Sequence, residues 1–94
     1  MLHYVVTFDI PDDATRREVG DLLGEYGTRV QRSVFEIRCR HRREYEALRR
    51  RLRGMIDPGA DSLRFYRLCA DCRAASEELG GFPDPFDREG VFFF

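Results

Sequence analysis

Hydrophobic and polar positions along this chain change period several times, and each change marks an element. Leu2 to Phe8 is rich in β-branched and aromatic residues, closes on Asp9 and is stopped by Pro11. That predicts a buried strand with a carboxylate at its C-terminal tip. Pro11-Asp12-Asp13 then opens a helix, with an aspartate available as N-cap and acids favoured in the first turn. Val19, Leu22, Leu23 and Tyr26 recur at helical spacing on one face, and Gly27 is read as the stop. From Thr28 to Cys39 the period becomes two, with Phe35, Ile37 and Cys39 alternating against Glu36, Arg38 and Arg40. The phase breaks near Ser33-Val34, which predicts a tight turn or bulge between a short strand and a longer one. A second helix is expected from about His41 to Ile56 on the spacing of Tyr45, Leu48, Leu52 and Met55. Asp57-Pro58-Gly59 ends it, and Ser62 to Cys69 reads as a fourth strand.

The order β-α-β-β-α-β predicts an α+β fold of ferredoxin-like, split βαβ topology, with both helices on one face of the sheet. With eight Phe and four Tyr in the chain, the other face is expected to leave aromatic residues in water unless something covers it. Residues 1–70 form the predicted core, and residues 71–94 an acidic, Gly- and Pro-containing extension with one helical turn near Ala74–Leu79. The extension ends on Val91-Phe92-Phe93-Phe94, read as an extra C-terminal strand that docks by edge pairing. A homodimer with exchanged C-terminal strands would cover the open face and stabilise a small core.

Charge adds a location for a partner. Net charge is −1, yet residues 29–53 hold ten arginines against Glu36, Glu44 and Glu46, while both flanking stretches are net acidic. Guanidinium forks match phosphate oxygens, so this segment points to a polyanion. No apolar run reaches the roughly 18 residues of a membrane span, and no basic-then-apolar leader opens the chain, so a cytoplasmic protein is expected. The three cysteines, Cys39, Cys69 and Cys72, are expected as reduced thiols there. Cys69-Ala70-Asp71-Cys72 is a CxxC without the second pair that a structural zinc site needs, and is read as a packing or incidental feature, the alternative being zinc with Cys39 as a third ligand.

Three strings carry a family resemblance. Val5-Val6-Thr7-Phe8-Asp9-Ile10, Arg29-Val30-Gln31-Arg32-Ser33-Val34-Phe35-Glu36 and Asp61-Ser62-Leu63-Arg64-Phe65-Tyr66-Arg67-Leu68-Cys69 resemble, in order and spacing, the CRISPR-associated protein two family. The resemblance implies a homodimer of ferredoxin-like subunits that serves spacer acquisition beside an integrase subunit. It implies metal-dependent nuclease activity in some members and a bridging, structural role in others. It places the metal-associated and catalytic residue at Asp9, an arginine near the start of the first helix at Arg16, and matches at Arg29 and Phe35. The family's second basic position falls on Glu18 here, with Arg17 beside it, and Phe8 stands where a tyrosine is common.

These residues suit the implied chemistry. Two Asp9 carboxylates meeting across a two-fold axis would repel unless a hard cation, Mg²⁺ or Mn²⁺, or a shared proton relieved them. Such an ion would activate water and neutralise charge on a phosphodiester. Arg16, Arg17 and Arg29 would contact nucleic-acid phosphates without reading sequence. Two readings of the same site follow: a metal-dependent endonuclease acting on RNA or DNA, or a purely structural adaptor for double-stranded DNA and the integrase.

Overall fold

A computed structural model describes residues 1–86 of the chain. The elements are β1 (Leu2–Asp9), α1 (Asp13–Gly24), β2 (Gly27–Gln31), β3 (Val34–Cys39), α2 (Arg42–Met55), β4 (Ser62–Leu68) and a short α3 (Ala70–Ala74). The strands form one antiparallel sheet in the order β2-β3-β1-β4, so β1, which ends in Asp9, is central. This is the expected ferredoxin-like arrangement. The expected C-terminal strand at Val91–Phe94 lies outside the described residues.

Helix starts follow their local chemistry. The Asp12 carboxylate accepts from the Thr15 N–H and hydroxyl, both at 2.9 Å, and so caps α1. His41 caps α2, its Nδ1 accepting from the Glu44 N–H at 3.2 Å, while Glu44 reaches back to the Arg40 N–H at 2.6 Å. That backbone bond, assisted by the Arg40 side chain, holds Glu44 below the usual carboxylate range.

The core lies between the sheet and the two long helices. β1 contributes Tyr4, Val6 and Phe8, β3 contributes Phe35, Ile37 and Cys39, and the helices return Val19, Leu22, Leu23, Leu48 and Leu52. Tyr4 stacks on Tyr45 of α2 at 4.5 Å, and Phe65 of β4 meets both rings edge-on. This placement narrows the expected exposed aromatic face to Tyr66. Tyr4, Phe8, Phe35 and Phe65 all sit on the helix side. The other side is mixed, with His3, Val5 and Thr7 of β1, Val34, Glu36 and Arg38 of β3, and Arg64 and Tyr66 of β4.

Part of that second face is covered from within the chain. The expected turn at Ala74–Leu79 is replaced by α3, which begins directly after β4, and the chain then runs back to the sheet. Phe86 is buried, sets its ring edge against His3 at 5.5 Å and donates its N–H to Glu36 Oε1 at 2.7 Å. It does so with φ of 53°, a left-handed backbone that these contacts hold in place. A groove of about 660 Å³ lies between this returning segment and β2–β3, with Thr28, Val30, Glu36, Phe82 and Pro83 among its walls.

Gly27 has a different part from the helix stop expected of it. α1 ends at Gly24, and Gly27 is the first residue of β2, opposite Ile37 of β3. The phase break near Ser33 is both of the things it suggested. A tight turn at Arg32-Ser33 joins β2 to β3, and the register shifts between Arg29 and Gln31.

Candidate functional site

Asp9 ends the central strand on the face opposite the helices, in register with Ser62 of β4. It is exposed, and among the described residues its carboxylate has no hydrogen bond or ion pair. The other acids at this end of the sheet are already engaged. Asp12 caps α1 and Asp13 pairs with Arg16; Asp61 accepts from the Asp57 N–H at 2.8 Å and Asp57 from the Gly59 N–H at 3.0 Å. Asp9 is thus a free carboxylate on a rigid strand end.

The structure separates the three candidate arginines. Arg16 turns back on its own loop, its guanidinium donating to the Ile10 carbonyl at 2.7 Å and pairing with Asp13. It braces the turn that follows Asp9. Arg29 stacks over the Phe35 ring at 5.2 Å and donates to the Arg32 carbonyl at 3.3 Å. Its fork also closes over Gly20 of α1, where an added Cβ would stand 2.7 Å from its Nη2. Arg17 is exposed and has no such partner among the described residues. Replacing Arg16 with alanine is therefore expected to lower stability by about 1–2 kcal/mol, while Arg17→Ala stays within about 0.5 kcal/mol, measured by urea unfolding. Equal effects of the two changes would refute the bracing role.

The basic segment resolves into a face of α2. Arg42 pairs with Glu46 at 3.0 Å, whereas Arg43, Arg49, Arg50, Arg51 and Arg53 are exposed and have no ion pair among the described residues. Leu48 and Leu52 hold the helix to the sheet, leaving these guanidinium groups outward. The second face holds two further candidates that sequence reasoning did not single out. Arg64 lies opposite Thr7, next in line to Asp9, and its Nη1 donates to the Tyr66 hydroxyl at 3.3 Å. Tyr66 is 47% exposed. Their period-two spacing was visible, but the register that sets them beside Asp9 was not.

The donor set can be tested against a divalent cation. No group of three or more His, Cys, Asp or Glu residues able to hold a metal occurs among the described residues. Asp9 is thus a single free carboxylate rather than part of such a group. Mg²⁺, which keeps several waters and is held by one or two carboxylates together with substrate phosphates, is the hard cation such a sparse donor set would suit.

The family model described as CRISPR associated protein Cas2 matches residues 1–75. The chain belongs to the Cas2 family. It is 38% identical over 92 residues to CRISPR-associated endoribonuclease Cas2 1 of Chloroflexus aurantiacus, covering 97% of this chain and 98% of that protein. It is 45% identical over 86 residues to CRISPR-associated endonuclease Cas2 2 of Thermus thermophilus, covering 92% and 90%. Among solved structures, Streptococcus pyogenes Cas2 at pH 6.5 superposes with a TM-score of 0.73 at 35% identity, covering 83% of this chain and 99% of that one. A chain of a partial Cas6-RT-Cas1–Cas2 complex gives 0.74 at 32% identity, covering 90% and 96%. Among the described residues of this Cas2-family chain, no helix is long and apolar enough to cross a membrane.

Proposed function

We propose that this chain is a Cas2-type subunit of a CRISPR spacer-acquisition complex. In that role it works as a two-fold dimer that grips duplex nucleic acid and bridges integrase subunits. The observation that carries the reading is the likeness of nearly the whole chain to one found within a Cas1–Cas2 assembly. Two features agree with it. The outward arginines of α2 form a basic face suited to phosphates rather than to base edges, and Arg17 is a further exposed guanidinium on α1. The sheet has two uncapped edges among the described residues, β2 and β4, and a second face only partly covered, so a second copy has places to pair.

A second reading concerns Asp9. Relatives of this length are named as endonucleases and endoribonucleases, and the free carboxylate gives such chemistry a location. A bound Mg²⁺ or Mn²⁺ would supply charge neutralisation at a scissile phosphodiester. The chain's own part is to present Asp9 from a central strand, to brace the following turn through Arg16, and to hold the backbone phosphates with its exposed arginines. Its half of the site becomes whole only when two copies place their Asp9 carboxylates together.

The test is the substitution Asp9→Asn, in protein freed of contaminating nuclease and in cells carrying the integrase gene and a repeat array. Spacer acquisition is expected to persist in the variant, and to stop when the whole chain is removed. Acquisition that continues without the chain would overturn the proposed role. Metal-dependent cleavage of RNA or duplex DNA, where the wild type shows it, is expected to fall to the metal-free background in Asp9→Asn. Unchanged cleavage would remove Asp9 from the chemistry.

A further inference from the structure

The two cysteines of the CxxC sequence leave β4 and enter α3 side by side. Cys69 is the N-cap residue of α3 and Cys72 its third residue. Cys69 makes no side-chain capping hydrogen bond, and its sulfur lies beside that of Cys72. The two sulfurs lie 3.6 Å apart and both residues are exposed. Closing from there to the roughly 2.05 Å of a disulfide asks for about 1.5 Å of sulfur movement. Cys39 makes the contrast. It has no exposure at all, and burial pushes its thiol up to about 11, out of reach of thiolate chemistry.

We propose that Cys69 and Cys72 form a thiol–disulfide modification site, closing to a reversible intrachain disulfide at the root of the C-terminal extension. The oxidant is a low-molecular-weight disulfide of the glutathione class. The Cys69 thiolate attacks one sulfur of that disulfide, forming a mixed disulfide and releasing the first small thiolate. The Cys72 thiolate then attacks the Cys69 sulfur, forming the Cys69–Cys72 bond and releasing the second. Two protein thiols are oxidised, one external disulfide is reduced to two thiols, and the protons pass to the leaving thiolates. The assignment of Cys69 as attacking sulfur agrees with its electrostatics. Its thiol lies below the ordinary cysteine range, first because the Cys72 N–H faces it and then because of the Cys72 thiol, while Cys72 is pushed up by the same interaction.

The bond would tie the corner where β4 becomes α3. The chain beyond that corner runs to Phe86 and its contacts with His3 and Glu36, so oxidation would fix the start of the segment that covers the second sheet face. This end of β4 pairs with His3, at the opposite end of β1 from Asp9. The modification therefore does not depend on the function proposed for Asp9.

The experiment equilibrates the full chain in oxidised and reduced glutathione, quenches it with an alkylating reagent, and digests it for mass analysis. The expected product has lost two hydrogens, with the linkage mapped to Cys69 and Cys72 in a monomeric band on a non-reducing gel, and it reverts on reduction. Cys39→Ser is expected to leave this behaviour intact, while Cys69→Ser and Cys72→Ser each abolish it. A stable glutathione adduct on either cysteine of the wild type, an interchain-linked band, or two free thiols under fully oxidising conditions would each overturn the proposal.

Discussion

Replacing Gly27 with alanine is expected to cost about 3 kcal/mol or more of folding stability, a large share of the roughly 5–15 kcal/mol that holds a domain together. A Cβ at this position would stand 1.9 Å from the Glu36 carbonyl oxygen, 2.6 Å from Ile37 Cα and 2.8 Å from Glu36 C. All three atoms are backbone of β3, so no side chain can rotate aside to make room. The strand pair must separate at Gly27–Ile37, and β2 is an edge strand with no neighbour on its other side among the described residues. Arg29 would move with it, uncovering Phe35. Gly54 provides the control. It lies inside α2 with nothing within 4 Å of an added Cβ, so Gly54→Ala is expected to stabilise by up to about 1 kcal/mol. Urea unfolding of the two variants should move the midpoint in opposite directions. A Gly27→Ala midpoint within error of wild type would show that β2 and β3 are not so closely apposed.

The second large effect is a loss of stability on acidification, centred on His3. This side chain is only 9% exposed, beneath Phe86 and between Arg38 of β3 and Leu68 of β4. Burial first, then the positive charges of Arg73, Arg38 and the N-terminus, bring its pKa from 6.5 down to about 4. The unfolded chain therefore takes up a proton that the folded chain refuses. Stability at this residue is whole above pH 6.5 and is lost as pH falls to about 4. The loss is up to about 3 kcal/mol, less to the extent that water screens the ring. Glu36 on the same face works in the opposite sense. Burial raises its pKa above 4.5, partly countered by the Phe86 N–H, so the folded chain binds that proton more readily and the acid side gains stability there. His3 thus drives the fall as pH drops from 6.5 towards about 4, and Glu36 opposes it. His3→Gln should flatten the upper part of the profile, measured by urea unfolding at stepped pH. Parallel profiles for variant and wild type would remove His3 as the cause.

Both effects arise from contacts that periodicity does not encode. Gly27 reads in sequence as a helix stop because glycine after an apolar helical face usually is one. Its actual constraint comes from a strand that begins seven residues later in the chain. His3 reads as an ordinary strand residue, and its burial comes from Phe86. The same limit applies to the candidate site. Asp9 was legible as a carboxylate at a strand tip, since Pro11 and the change of period mark that end. The sequence named Arg16 for phosphate contact; what it did not show is that the folded chain sets this guanidinium on the Ile10 and Pro11 carbonyls and beside the Asp13 carboxylate. Arg64 and Tyr66 were ordinary members of an alternating strand until pairing set them on Asp9's face.

By itself, then, the sequence determined the kind and order of the elements, the Asp12 cap, the break before Val34 and the family, because each rests on residues close together in the chain. Local spacing carries the helical and strand periods directly. The tertiary structure decided which face is aromatic, which arginines are free, how the returning segment buries His3, and that two distinct cysteines face one another in the open. These depend on register and on contacts such as Phe86 to Glu36, fifty residues apart in the chain. A one-residue change of register would exchange every side chain between the two faces of the sheet, so only the assembled sheet fixes what surrounds Asp9.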